Sequence, residues 1–341
     1  ITITYSWVTR VFSNVEAALY TVLLMAISPW QIYHAQDIRM YALLALFLSG
    51  YAYYTSITFL LPDQQKLINW VGIIVTCAGA LYTHNLAIFT LVAPNIYLTM
   101  RKDWHGLKRL IILQIVTGLL FFPWLVRVPG QLEKIQTAFW TPKPGVTEVL
   151  QAMIYFVGSL PLPPFSLIVV LFITLMIFGI LVYEGITLIR EIPNSYYLLI
   201  FIVSPPLILF VFSYIIRPIF VPRGFLYSSV AFNVLCGLVI ANLKSTLKRA
   251  LLIALFISAA TISLLYQIPY NEFPRSPYRK ALNYAKEKIN NGTIVVHDNK
   301  LSYLPMYYYD RDFNQVFIRD QPGTFNDTLA INTQEVLGIP S

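Results

Sequence analysis

Long apolar segments recur along most of this chain, and they constrain its fold more than any other feature. A helix needs about 17–25 mainly apolar residues to cross a bilayer. Segments of roughly that length lie near residues 16–33, 40–61, 68–83, 85–100, 110–126, 165–182, 196–216, 225–242 and 250–268. Hydrophobic residues make up 57% of the sequence and charged residues 12%, against roughly 25% charged in a soluble domain. The sequence therefore predicts an all-α polytopic membrane protein with about nine spans.

The distribution of basic residues predicts the orientation, because short loops rich in lysine and arginine stay in the cytoplasm. Residues 101–109 and 243–249 form the clearest basic loops and are predicted inside. Alternating the spans from them places one set of polar segments outside: 34–39, 82–85, 127–151, 217–223 and everything after residue 269. We expect a multi-pass protein of the plasma (inner) membrane whose polar constellations share the outer face.

Charge and cysteine content exclude two kinds of function. The net charge is +8, but the basic residues are spread over predicted inside loops and the tail rather than gathered in a patch, so no nucleic-acid partner is expected. Cys77 and Cys236 each lie in an apolar segment, and two isolated cysteines predict neither a metal site nor a disulfide framework. Both are interpreted as buried free thiols.

The composition divides the chain into two predicted domains, 1–268 in the membrane and 269–341 outside it. Residues 276–292 have the pattern of an amphipathic helix, TIVVHD at 293–298 that of a short buried strand, and QVFIRD at 315–320 that of another. A small extracytoplasmic α/β domain, truncated at its end, is the simplest interpretation. Because the chain begins at Ile1 inside an apolar run, we also interpret it as a fragment that lacks upstream spans.

The densest polar cluster interrupts two apolar runs at residues 34–41, where His34, Gln36, Asp37, Arg39 and Tyr41 follow one another closely. Ionisable groups at a membrane surface are functional candidates. Asp37 could accept a proton or bind a divalent ion, and Arg39 could hold a phosphate. Their spacing does not place them on one helix face, so we expect them to reach different partners. The alternative is an interfacial anchor with an aromatic belt and hydrated charges.

Three further loops carry candidate residues. His84, in the turn Tyr82–Asn85, could position a phosphate, bind a metal or shuttle a proton, or it could be a helix cap. Arg217 and Arg223 flank a predicted outside loop and invite an anionic ligand, unless they reach lipid phosphates at a helix end. The loop 127–151, with Trp140 and Lys143, is long enough to be functional and could roof a site.

These segments together resemble the GT-C class of membrane glycosyltransferases, in particular the bacterial branch related to protein O-mannosyltransferases and the lipid A aminoarabinose transferase. SPWQIYHAQDIRMYALLALF (28–47) resembles an outer loop of that branch, YTHN (82–85) its outer turn, PIFVPRGFLYSS (218–229) its late arginine-bearing loop, and SPYRKALNYAKEKINNGTIVVHD (276–298) the start of its periplasmic domain. The resemblance covers essentially the whole chain in the same order. Only the first motif is specific by itself.

Two departures from the family pattern affect the site. Asp37 stands where the family usually has glutamate, and Gly224 stands where it has tyrosine. The family's main acidic catalytic residue lies on the first outside loop, which would precede Ile1. We therefore expect the general base to be upstream, and this fragment alone to be inactive.

The resemblance implies transfer of a hexosyl or pentosyl group, with inversion, from a polyprenyl-phosphate donor to a hydroxyl of a protein, lipid or glycan acceptor at the outer face. Arg39, Tyr41, His84, Arg217 and Arg223 would bind the donor phosphate. Asp37, Arg39 and His84 would be the catalytic residues. Asp37 would orient the acceptor or, as we favour, fix Arg39 or, like His84, hold a divalent metal. His34, Gln36, Trp140 and Lys143 would form the substrate loops.

Two other classes of function compete with this interpretation. A lipid-linked glycan flippase or secondary transporter would also be apolar, but transporters usually contain inverted repeats and sites near the midplane, which the sequence does not display. A scaffold subunit of an envelope complex would leave the clustering of polar residues on one face unexplained.

Overall fold

The computed structural model describes residues 1–37, 39–61, 64–127, 129, 143–216, 218–268, 276–288, 293–298 and 300–318. These described residues divide into two compact units, one formed by those within 1–126 and 141–267 and one formed by those within 127–140 and 268–341. The first unit is a bundle of helices, and the second contains two helices and two short strands.

The bundle contains thirteen described helices, labelled in chain order. They are α1 Thr2–Val11, α2 Val15–Ile27, α3 Pro29–Gln36, α4 Tyr41–Leu60, α5 Leu67–Thr83, α6 Ala87–Leu91, α7 Ala93–Met100, α8 Trp104–Leu125, α9 Val146–Val157, α10 Pro164–Glu191, α11 Tyr196–Ile215, α12 Leu226–Asn242 and α13 Thr246–Gln267. Two 3₁₀ turns, Pro193–Ser195 and Pro222–Phe225, precede α11 and α12.

All nine predicted apolar segments form helices, but fewer than nine meet the length and hydropathy of a complete span. Within the described residues six helical segments do so: α4, α8, α10, α11 with its preceding turn, α12 with its preceding turn, and α13. The number is seven if α2 and α3, which are bent by 60° at Ser28, are counted as one broken span. The remaining two predicted spans are α5 and the pair α6 and α7, which are apolar but shorter. The prediction of a polytopic helical membrane protein is confirmed.

Helix α12 is the centre of the bundle. In an 18-residue window of the segment Pro222–Asn242, 94% of the residues are buried. The helix packs against α2, α4, α10 and α11. Gly237 allows the closest approach, because a Cβ there would lie 2.7 Å from the carbonyl oxygen of Ala17 in α2. The helices around α12 expose apolar side chains on their outer faces, as expected for a lipid-facing surface.

The second unit contains the predicted helix and both predicted strands, together with one helix that was not predicted. Helix α14 is Tyr278–Lys288, and strands β1 (Val295–His297) and β2 (Gln315–Phe317) pair in parallel with Val296 opposite Val316. Helix α15 (Lys300–Tyr309), which the sequence did not predict, connects them, as parallel strands require a crossover. β1 is not a buried strand, because Val296 is 60% exposed and only His297 is buried.

Candidate functional site

Three turns meet at one end of the bundle, which we call the site end: the turns from α3 to α4 and from α5 to α6, and the 3₁₀ turn Pro222–Phe225. Gln31 of α3 donates a hydrogen bond of 2.6 Å to Ser229 Oγ of α12. A Cβ on Gly224 would lie 3.1 Å from Leu86, two residues after His84. The site end therefore gathers the segments 28–41, 82–85 and 218–229 that the sequence analysis selected.

The bend at Ser28 follows from local sequence. Ser28 caps α3 by accepting a hydrogen bond from the Gln31 N–H at 3.5 Å, and Pro29 occupies the first turn, where its missing N–H is not needed. Proline also disfavours helical backbone at the preceding residue, and Ser28 is extended (ψ 116°). Helix α3 consequently turns away from α2 and places its aromatic residues beside α12.

Asp37 and Arg39 form an ion pair with each other, with 3.7 Å between Arg39 Nε and Asp37 Oδ2. The prediction that they reach different partners is wrong. It rested on helix geometry, whereas Asp37 ends α3 in an extended conformation (ψ 127°) and its carbonyl accepts a hydrogen bond from the Arg39 N–H at 2.7 Å. The side chains are 25% and 59% exposed, so the pair is weak and the guanidinium stays accessible.

His84 ends α5 and is fixed by the turn that follows. Its Nδ1 accepts a hydrogen bond from the Leu86 N–H at 3.0 Å, so in the neutral ring the proton is on Nε2. Burial, and secondarily the positive charge of Arg223, lower the pKa of His84. The ring is therefore neutral at physiological pH and can donate a hydrogen bond from Nε2. Its Nδ1 also caps the turn, as the sequence analysis considered.

Arg223 lies in the 3₁₀ turn, partly buried, close enough to His34 and His84 to act on both electrostatically. No ion pair or hydrogen bond joins its side chain to the described part of the chain. A half-buried guanidinium without a carboxylate partner is suited to an anionic ligand.

Aromatic rings connect these groups. Tyr41 is 4% exposed, and its ring centre lies 5.1 Å from that of His34 and 5.7 Å from that of His84. The Trp30 ring lies 4.3 Å from His34 and 4.1 Å from Tyr155 of α9. Tyr155 was not predicted, because it belongs to a helix distant in sequence and no local pattern marks it.

The other predicted site residues are either exposed or outside the described residues. Gln36 is exposed at the end of α3, and Lys143 is exposed before α9. Arg217 and Trp140 lie outside the described residues, as do residues 130–142 of the loop 127–151 that could roof a site. Over the described ranges, no three histidine, cysteine, aspartate or glutamate residues are grouped in a way that could hold a metal ion. Cys77 and Cys236 are buried and free, as predicted.

No protein-family model matches this chain, and no curated protein matches it either. By structure, it is similar to the crystal structure of ArnT from Cupriavidus metallidurans bound to undecaprenyl phosphate, with a TM-score of 0.62 and 14% sequence identity over 99% of this chain and 72% of that one. At this identity the likeness concerns the fold. The chain has a GT-C fold, as the sequence resemblance predicted.

Proposed function

We propose that this chain belongs to a glycosyltransferase that moves a hexosyl or pentosyl group from a polyprenyl-phosphate donor to an acceptor hydroxyl at the outer face of the inner membrane. The observation that carries the proposal is the convergence of Arg39, Arg223 and His84 at one end of an apolar bundle. The ArnT structure with which the chain shares its fold is bound to undecaprenyl phosphate, which supports a polyprenyl lipid as the partner.

In the proposed donor site, the isoprenoid tail and the phosphate of the lipid would bind at different places. The isoprenoid tail would lie against the apolar outer faces of the spans, and the phosphate would meet the site end. Arg223 and Arg39 would pair with phosphate oxygens, and the neutral His84 would donate from Nε2. Asp37 would hold Arg39 in place without neutralising it fully, because the pair is exposed.

The proposed reaction is an inverting displacement. The acceptor oxygen forms a bond to the anomeric carbon on the face opposite the phosphate, while the bond between that carbon and the phosphate oxygen breaks with its electrons going to the phosphate. The acceptor proton passes to a general base. Negative charge grows on the leaving phosphate, so donors fixed before the reaction lower the barrier.

The test is release of polyprenyl phosphate by the full-length gene product in detergent, with a panel of polyprenyl-phosphate sugars. We expect Arg39→Ala and Arg223→Ala to lower turnover at least about 100-fold, as removal of one such donor does elsewhere. Arg190→Ala, an exposed arginine in the last turn of α10, is the matched control and should retain wild-type turnover. Full turnover in both site variants would overturn the proposal. No release by wild type from any donor would favour a transporter or scaffold function.

A further inference from the structure

One side-chain hydrogen bond joins the two segments that carry the arginines of the site end. Gln31 Nε2 of α3 donates to Ser229 Oγ of α12 at 2.6 Å. Arg39 lies in the turn that follows α3, and Arg223 lies in the 3₁₀ turn that leads directly into α12. Among the described residues, no other side chain of α3 hydrogen-bonds to another helix. This bond is therefore the specific polar link between the two arginine-bearing segments.

The direction of the bond is determined by a second contact of Ser229. The Ser229 hydroxyl donates to the carbonyl oxygen of Leu226 at 2.7 Å, so its one hydrogen is used and its oxygen accepts from Gln31. Ser229 is 0% exposed. If α3 moved away from α12, no water could replace the Gln31 amide there, and a buried acceptor would lose its partner.

The other contacts of α3 with this part of the bundle are apolar. Trp30 packs with Tyr41 and Leu226 in a small hydrophobic cluster. Its ring centre lies 4.1 Å from that of Tyr155 in α9. Burial of apolar surface has no preferred direction, so this packing holds α3 against the bundle without fixing its rotation. A hydrogen bond does restrict rotation, because it weakens steeply with distance and angle.

The orientation of α3 matters because Arg39 and Arg223 lie in the same region. Both guanidinium groups act electrostatically on His34 of α3. Arg223 is partly buried next to the start of α12, whereas Arg39 is 59% exposed in the turn after α3. Two arginines can bind one phosphate together only if their separation matches its oxygens. That separation depends on how α3 is placed against α12.

We propose that Gln31 and Ser229 are positioning residues, which set the separation of Arg39 and Arg223 around the phosphate of the lipid donor. The inference rests on the proposed function. The two side chains would bind each other rather than the phosphate. Their bond would raise the fraction of the protein in which both arginines face one anion, and the apparent affinity for the anion scales with that fraction.

The test measures binding of undecaprenyl phosphate to the full-length gene product in detergent by thermophoresis. Gln31→Met keeps the length of the side chain but cannot donate a hydrogen bond. We expect it to weaken binding by about three- to twentyfold, the range that interhelical hydrogen bonds in membranes cover. Ser229→Ala should weaken binding by a similar factor. The double variant should lose no more than the weaker-binding single variant, because the same bond is absent in all three.

Combination with Arg39→Ala distinguishes positioning from a general loss of folding. If Gln31 acts through Arg39, Gln31→Met should weaken binding less than about twofold in a protein that already carries Arg39→Ala. A folding defect would instead weaken binding by the same factor whether or not Arg39 is present.

Gln114→Met is the matched control, because it makes the same substitution at another half-buried glutamine between helices. Gln114 of α8 donates to Tyr51 Oη of α4 at 3.1 Å and to Asn95 Oδ1 of α7 at 2.8 Å. None of these three residues belongs to the segments that converge at the site end. This variant should lower the thermal unfolding midpoint without changing the affinity for undecaprenyl phosphate.

The outcomes separate this inference from the proposed function. Weaker binding in Gln31→Met and Ser229→Ala that disappears in the Arg39→Ala background supports the positioning role. Unchanged binding in both variants, or an equal loss in the Arg39→Ala background, overturns the positioning role, while binding by wild type still supports the proposed function. If wild type does not bind undecaprenyl phosphate, both fail.

Discussion

Arg39 and Asp37 contact each other across the break between α3 and α4, with 3.7 Å between Nε and Oδ2. The pair lies at the surface, where an ion pair contributes about 0–1 kcal/mol to folding. The ion pair therefore contributes little to folding stability, and orienting the Arg39 guanidinium explains it better. Under the proposed function, Asp37 would therefore be a positioning residue for Arg39.

Asp37→Asn should accordingly separate stability from activity. We expect the thermal unfolding midpoint in detergent to change little, since the exposed pair contributes so little. Turnover should fall because Arg39 loses its orientation, with a larger effect on kcat than on KM if Arg39 acts mainly on the leaving phosphate.

Glu184→Gln is the matched control, because it removes the carboxylate of another exposed pair, Lys248–Glu184 at 2.8 Å. It should leave both turnover and midpoint unchanged. If Asp37→Asn lowered the midpoint strongly and kept full turnover, Asp37 would be a structural residue instead.

His84 should titrate at lower pH than an exposed histidine. Burial and then the positive charge of Arg223 lower its pKa, and the chain has only four histidines to assign. Side-chain NMR of labelled histidine across pH 4–8 would measure this directly. Arg223→Ala should raise the pKa of His84, because it removes a neighbouring positive charge.

The lowered pKa of His84 also makes the stability of the folded protein depend on pH. The unfolded chain, with its ordinary histidine pKa, binds a proton before the folded state does, so folding is disfavoured as pH falls from about 6.5 through the lowered pKa. Above about 6.5 His84 contributes no pH dependence. A His84 resonance that titrates at the ordinary histidine pKa of about 6.5 would contradict the prediction.

Hydropathy is a local property, and it predicted where α4, α10, α11 and α13 lie. It did not predict that α2 and α3 are bent at Ser28, because the effect of Pro29 on direction depends on what α3 packs against. The contact of Trp30 with Tyr155 was not predicted either, because it joins helices that are distant in sequence.

The sequence selected candidate residues that lie together in one motif, and it missed the contacts that form by packing. His34, Asp37, Arg39, Tyr41 and His84 were selected from two short segments, and the structure brings both to the site end. The pairing of Asp37 with Arg39 was missed because the spacing rule for helices does not apply to an extended residue between two helices.

Gly237→Ala should destabilise the bundle. A Cβ there would contact Thr21 Oγ1 and lie 2.7 Å from the Ala17 carbonyl oxygen, which belongs to a helix backbone and cannot move aside easily. Overpacking of this kind typically costs about 1–3 kcal/mol. The thermal unfolding midpoint in detergent should fall.

The matched control for Gly237 is Gly179→Ala in α10, where a Cβ would have no atom within 4 Å. Alanine favours a helix by up to about 1 kcal/mol over glycine, so this variant should keep or raise the midpoint. Equal midpoints for the two variants would show that α2 and α12 do not pack as closely as the structure has them.

Acid should loosen the second unit through Asp310. Asp310 directly follows α15. The pKa of its carboxyl group is lowered mainly by a hydrogen bond from Lys286 of α14, and the Asp312 N–H adds to this lowering.

A carboxylate with a lowered pKa contributes stability above its ordinary pKa and loses that contribution as pH falls through the lowered value. The protection of residues 278–288 and 300–318 against hydrogen exchange, corrected for the intrinsic pH dependence of amide exchange, should therefore fall below about pH 4 in the full-length protein. Asp310→Asn should show faster exchange at neutral pH and a smaller loss of protection in acid, whereas Glu287→Gln, an exposed neighbour of Lys286, should behave as wild type. Unchanged exchange in Asp310→Asn would mean that the contact between α14 and the end of α15 does not hold them together.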